Sequence, residues 1–106
     1  MMIYGERPFY RIRSVATGEF YNGIEVVEWG VRIGEWTDYD GKKKPFRMNY
    51  PIKINTKWGI DNYRICVKPG TIKRWLKEIK QYGKLKKVLV EKVLVKEVEV
   101  VEEVEL

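Results

Sequence analysis

One segment of this chain has a helical period, and it limits the fold to classes in which a single helix meets β-structure. Five apolar residues recur with the spacing of one helix face: Ile72, Trp75, Leu76, Ile79 and Tyr82. Thr71 stands before them as a candidate N-cap, and Gly83 follows as a candidate terminator. The pattern predicts an amphipathic helix over residues 71–82.

The residues before this helix favour strands and tight turns. Residues 9–15 are mostly aromatic or β-branched, and Thr17-Gly18 provides the glycine that a tight turn requires. The apolar pair Phe20-Tyr21 after the turn can begin a second, antiparallel strand, so we expect a β-hairpin. Asn22-Gly23 is the next turn signal.

Glycine and proline divide the middle of the chain. Gly30 and Gly34 interrupt an otherwise strand-like run and suggest bulges or bends instead of one long strand. A turn is expected at residues 39–42, and Pro45 and Pro51 keep the next segment out of a central strand. Another strand is expected over residues 60–67, before Lys68-Pro69-Gly70.

The final segment, residues 86–106, alternates Val and Leu with Lys and Glu. Its β-branched content favours strands. Val98, Val100, Val104 and Leu106 share one parity, which predicts an alternating strand with its charges outward, although a helical period also fits. Together these patterns predict one α+β domain over residues 1–106, an antiparallel sheet with one amphipathic helix packed on it.

The composition excludes several classes of chemistry. Histidine is absent and Cys66 is the single cysteine, so histidine-assisted nucleophiles, ordinary zinc sites and an internal disulfide are all excluded. No phosphate-binding glycine loop occurs, and we expect no cofactor and no metal. Cys66 lies in an apolar run and is interpreted as a small packed residue. One catalytic option remains, a carboxylate site among Glu25, Glu28, Glu35, Asp38 and Asp40. Solvated turns and strand edges produce the same pattern, and an ordinary surface is the preferred interpretation.

Location follows from what the sequence lacks. No apolar run approaches the ~20 residues of a membrane helix. Residues 1–6 have neither the charge nor the apolar stretch of an export signal. We therefore expect a cytoplasmic protein without a membrane partner.

Charge is segregated along the chain. Residues 1–40 carry a net charge of −3, residues 41–67 of +6, residues 68–92 of +7 and residues 93–106 of −4, within a total of +6. Such a basic middle between acidic ends indicates a macromolecular partner more clearly than the total does.

Two sets of residues in the basic middle are candidate contacts for nucleic acid or for a protein. The first interleaves rings and cations: Trp36, Tyr39, Lys42, Lys43, Lys44, Phe46, Arg47, Lys53 and Lys57. The second is the polar side of the helix: Lys73, Arg74, Lys77 and Lys80. Core rings with solvated lysines, and an ordinary solvated helix face, are the alternatives, and the acidic tail is a further candidate as a phosphate mimic.

Three pieces of the chain carry a family resemblance. They are Tyr10-Arg11-Ile12-Arg13 followed by Thr17-Gly18-Glu19-Phe20-Tyr21, then Lys68-Pro69-Gly70-Thr71, then the Val/Glu-rich end. The pattern resembles small uncharacterised bacteriophage accessory proteins with such a hairpin and terminal strand. It covers about half of the chain and matches nothing between Gly23 and Trp58. The resemblance implies a phage origin, hence a host-cell location, and supplies no catalytic residues.

These observations favour a non-enzymatic protein that binds and inhibits a host defence complex which handles nucleic acid, in the manner of an anti-CRISPR protein. The alternative is direct binding of DNA or RNA through residues 36–58 and the basic helix face. Neither the partner nor the oligomeric state follows from the sequence.

Overall fold

The computed structural model describes residues 7–106, so the first six residues, to which the absence of an export signal refers, lie outside the described range. In order, the elements are β1 (Phe9–Ser14), β2 (Phe20–Thr37), β3 (Lys43–Gly59), α1 (Pro69–Tyr82), β4 (Lys87–Leu94) and β5 (Glu97–Glu105). The strands form one antiparallel sheet in the order β3-β2-β1-β4-β5. The predicted α+β class, with one amphipathic helix, is confirmed.

Helix α1 buries the predicted face but begins earlier than expected. Ile72, Trp75 and Ile79 are buried. The prediction of Thr71 as N-cap is wrong, because the helix starts at Pro69, whose missing N–H costs nothing in a first turn. At the other end the backbone N–H of Gly83 donates to the carbonyl of Ile79 at 2.8 Å and closes the last turn.

The predicted hairpin between β1 and β2 is confirmed. Gly18 adopts a φ of +74°, and its N–H donates to the carbonyl of Ser14 at 2.9 Å. Arg13 then lies opposite Phe20 across the two strands.

The strand predicted over residues 60–67 is wrong. The chain bends after β3, where a Cβ on Gly59 would lie only 2.5 Å from the carbonyl oxygen of Asn62. The residues beyond are irregular, but they satisfy backbone groups of β1 and β2. The N–H of Arg64 donates to the carbonyl of Tyr21 at 2.9 Å, and Cys66 pairs with Tyr10.

Strand β2 is one continuous strand of 18 residues, so the turn predicted at Asn22-Gly23 and the bends predicted at Gly30 and Gly34 are wrong. These glycines sit where other side chains come close to the backbone, as at Gly23, where a Cβ would lie 2.5 Å from Cζ of Arg64. Pro45 and Pro51 predicted that their segment would not be a central strand. This is confirmed, since β3 is an edge strand of the sheet.

The C-terminal segment forms strands, as its β-branched content predicts, and not a helix. Strand β4 pairs with β1 in regular register, whereas β5 pairs with β4 through a shift that leaves Val101 without an opposite residue. This bulge places Val98 and Val100 on the opposite face from Val104, which corrects the predicted common face of the tail.

The described residues form two compact units. One is a core unit of residues 7–24 and 56–106, and the other is the ribbon, Glu25–Asn55. All buried apolar side chains of the described residues lie in the core unit: Ile12, Tyr21, Ile72, Trp75, Ile79, Val88, Val90 and Val93. Between residues 7 and 106 no helix has the length and apolar character to cross a bilayer.

Candidate interaction surface

The ribbon is the β2 and β3 hairpin, joined by a turn that Asp38 organises. Oδ1 of Asp38 accepts hydrogen bonds from the backbone N–H groups of Asp40 at 3.0 Å and Lys42 at 2.9 Å, while Oδ2 lies 3.6 Å from Nζ of Lys44. Gly41 supplies the positive φ of +78°. The predicted turn is confirmed, and the carboxylate of Asp38 is engaged in building it.

One face of the ribbon carries the rings of β3. The Tyr50 ring lies against Gly30, and the Phe46 ring lies against Gly34. Nζ of Lys44 stands 5.7 Å from the centroid of the Trp36 ring, within the range of a cation–π contact. We call this the aromatic face: Trp36, Lys44, Phe46, Tyr50 and Ile52. Phe46 is half-buried and the others are exposed.

The opposite face of the ribbon carries an uncovered apolar stripe on β2. Strand alternation places Val27, Trp29, Val31 and Ile33 on the same side, and all four are exposed. Trp29 is 59% exposed and Ile33 is 77% exposed. We call these four residues the apolar stripe. Exposure of the apolar stripe to water is unfavourable, and complete burial of one fully exposed large side chain contributes roughly 1.5–3 kcal/mol, so these partly exposed residues would each contribute less to binding.

The sequence did not identify the apolar stripe as a surface. The alternation of Val27, Trp29, Val31 and Ile33 is visible in the sequence, and it says that they share a face. It does not say whether another layer of the protein covers that face.

The structure separates the candidate residues of the basic aromatic segment. Trp36, Lys44 and Phe46 lie together on the aromatic face. Lys43, Arg47 and Lys53 alternate to the side of the apolar stripe. Tyr39 and Lys42 lie in the exposed turn, and Lys57 lies outside the ribbon, half-buried at the end of β3.

The ribbon as a whole is nearly neutral. It contains six basic residues, Arg32, Lys42, Lys43, Lys44, Arg47 and Lys53, and five acidic ones, Glu25, Glu28, Glu35, Asp38 and Asp40. Its exposed surface is therefore distinguished by apolar side chains more than by charge.

The candidate helix residues are exposed and form two rows on α1. Lys73, Lys77 and Lys80 follow one another at i, i+4 and i+7, and within residues 7–106 none of them makes a salt bridge. Arg74 lies in the neighbouring row, 4.0 Å from Glu78. Like charges at this spacing repel by roughly 0.2–0.5 kcal/mol per pair, so the row favours an anionic contact.

On the core unit, the sheet face away from α1 carries an ion cluster around the buried carboxylate of Glu91. Glu91 is only 3% exposed; its Oε1 lies 2.9 Å from Nε of Arg11, and its Oε2 lies 3.0 Å from Nε of Arg13. The guanidinium of Arg11 also lies over the Phe20 ring at 4.0 Å and donates to the hydroxyl of Tyr63 at 3.0 Å. The two cations that contact the Glu91 carboxylate, Arg11 and Arg13, both lie in β1, within the sheet.

Two further titratable groups have a pKa raised by their surroundings. Burial, together with the hydrogen bond that Tyr21 donates to Glu78 at 2.8 Å, raises the pKa of the Tyr21 hydroxyl well above its usual value. Burial also raises the pKa of the Cys66 thiol, against a smaller opposing effect of Arg74. The structure thus places Cys66 half-buried against the core, in line with its interpretation as a packed residue.

Across residues 7–106 no three His, Cys, Asp or Glu side chains lie close enough together to hold a metal ion. Comparison with protein-family models, with curated proteins and with solved structures gave no match to this chain.

Proposed function

We propose that this chain is a non-enzymatic, phage-type binding protein that obstructs a host complex handling nucleic acid in defence, and that the ribbon is its contact surface. The observation that carries the proposal is the uncovered apolar stripe, Val27 to Ile33, on a hairpin whose other face also exposes rings. The class of host partner rests on the resemblance to phage accessory proteins.

The chemistry of the ribbon favours a protein partner over nucleic acid. Aliphatic side chains such as Val31 and Ile33 neither stack on bases nor contact phosphates, whereas they fill apolar pockets of proteins. The near-neutral charge of the ribbon supports the same choice, because nucleic-acid binding depends on many unpaired cations. Trp29 and Arg47, on the same side, are of the residue types that dominate interface energies.

A hairpin gives such a protein a practical advantage. A two-stranded ribbon buries little surface of its own and is only marginally stable in isolation. A partner that covers either face therefore both gains apolar contact and stabilises the hairpin, so binding and ordering of the ribbon reinforce each other.

The proposal is tested by affinity capture from a bacterial host lysate, with and without nuclease, using three forms of the protein. These are the wild type, a stripe variant (Trp29→Ser with Ile33→Ser) and a helix variant (Lys73→Ser with Lys77→Ser). We expect the wild type and the helix variant to retain one protein in stoichiometric amount after nuclease treatment, and the stripe variant to lose it. The proposal is wrong if the stripe variant retains the same partner in full.

Direct binding of nucleic acid is the second candidate, and the row of Lys73, Lys77 and Lys80 favours it. Three exposed lysines without salt-bridge partners within the described residues can neutralise phosphates along a backbone. In that case the captured material disappears on nuclease treatment, affinity falls steeply with salt, and the helix variant has a reduced salt slope.

A further inference from the structure

The two edge strands of the sheet carry opposite charges. Strand β3 contains five basic residues and no acidic one: Lys43, Lys44, Arg47, Lys53 and Lys57. Strand β5 contains five acidic residues and no basic one: Glu97, Glu99, Glu102, Glu103 and Glu105. The strand order places β3 at one edge of the sheet and β5 at the other.

Edge strands expose backbone N–H and C=O groups that pair readily with other strands, and charged side chains are one way to prevent this. When all the charges on an edge strand have the same sign, they prevent pairing with an edge of that sign. They do not prevent pairing with an edge of opposite sign. Two β3 edges repel, and so do two β5 edges, but a β3 edge attracts a β5 edge of another molecule.

Among residues 7–106, few of these charges have an ion-pair partner. In β5, Glu103 and Glu105 contact Lys87, whereas Glu97, Glu99 and Glu102 make no salt bridge among the described residues. In β3, Lys44 contacts Asp38. The remaining four cations of β3 make no salt bridge within residues 7–106, so most charges of the two edge strands have no ion-pair partner there, although the acidic residues of β2 and the turn keep the ribbon as a whole near neutral.

From this complementarity we infer that the protein associates with further copies of itself, the β3 edge of one molecule against the β5 edge of the next. The contact is heterologous, so each added copy leaves both kinds of edge free, and association does not stop at a dimer. Pro45 and Pro51 remove two N–H donors from β3, and the bulge at Val101 distorts β5. The contact therefore depends mainly on side-chain charge and is weak and sensitive to salt.

Sedimentation velocity of the purified full chain tests this inference without any partner. In roughly 20 mM salt we expect the weight-average mass to rise with protein concentration above the 12.7 kDa monomer, and in roughly 500 mM salt to return to it. A wild type that remains monomeric at low salt up to millimolar concentration would overturn the inference.

Charge reversal tests the two edges separately. Glu97→Lys with Glu99→Lys reverses part of β5, and Lys43→Glu with Arg47→Glu reverses part of β3. Each variant alone should remain monomeric in low salt. An equimolar mixture should associate, because the unchanged basic β3 edge of the first variant can pair with the unchanged acidic β5 edge of the second. Lys73→Glu with Lys77→Glu is the control for net charge and should associate as the wild type does. If the mixture stays monomeric, or if the control also abolishes association, edge complementarity is wrong, whereas the proposed function is unaffected.

Discussion

The phenol ring of Tyr50 lies against the backbone of Gly30, so closely that a Cβ on Gly30 would be 2.5 Å from Cζ of the ring. Phe46 lies against Gly34 in the same way. Glycine here leaves room for a ring from the neighbouring strand to lie close to the backbone of β2. The ribbon thus covers part of its own backbone on one side and leaves the apolar stripe on the other side uncovered.

Filling this position should destabilise the ribbon. We expect Gly30→Val to displace the Tyr50 ring and to lower the free energy of unfolding by about 1 kcal/mol at most, because the exposed ends of Tyr50 and Ile52 can move and valine itself favours a strand. Arg32→Val is the matched control, two residues further on the same face and exposed, and should have no unfavourable effect. Urea unfolding followed by tryptophan fluorescence measures both, and equal stabilities would contradict the close packing of Tyr50 on Gly30.

The buried carboxylate of Glu91 should matter far more than exposed ones. Glu91→Gln leaves Arg11 and Arg13 without their anionic partner, and we expect a loss of roughly 2 kcal/mol in unfolding free energy. Glu103→Gln removes only the exposed partner of Lys87, whose pKa is raised by that contact, and should have a much smaller effect. Thermal unfolding monitored by circular dichroism compares the two, and equal shifts in Tm would refute the structural role of the cluster.

Tyr21 should make the fold sensitive to alkali. The folded state holds the Tyr21 hydroxyl in its neutral form, so its contribution to stability is complete below the usual tyrosine pKa near 10 and is lost as pH rises above it. Tyr21→Phe should cost about 1 kcal/mol at neutral pH through the lost hydrogen bond to Glu78, and less above pH 10. Denaturant unfolding between pH 7 and 11 measures the difference, and a difference that does not vary with pH would contradict it.

The sequence predicted elements whose signal is local. The helix followed from five apolar residues at a 3.6-residue period, and the first hairpin followed from Gly18. The start of α1 was predicted two residues too late because both Pro69 and Thr71 are residues that favour a helix start. In the structure the helix begins at Pro69. The valines of the C-terminal segment predicted its strands. The bulge at Val101, which places Val98 and Val100 on the opposite face from Val104, has no local signal in the sequence.

The predictions that were wrong concern residues whose conformation depends on contacts with segments distant in the sequence. Gly30 and Gly34 resembled breaks because nothing in the sequence shows that rings of β3 lie on them. Residues 60–67 have strand-like composition, but they make irregular contacts with β1 and β2. The sequence singled out the basic aromatic segment as a candidate surface, but the division of its residues between two faces depends on the strand pairing.

If the apolar stripe is the binding surface for a protein, the affinity of the captured partner must differ among the three forms of the chain. With purified components and titration calorimetry, we expect the stripe variant to bind at least about 30-fold more weakly than the wild type, equivalent to about 2 kcal/mol. We expect the helix variant to bind within about threefold of the wild type, since its lysines lie outside the proposed surface. A stripe variant with wild-type affinity, or a helix variant that alone loses binding, would show that the apolar stripe is not the binding surface.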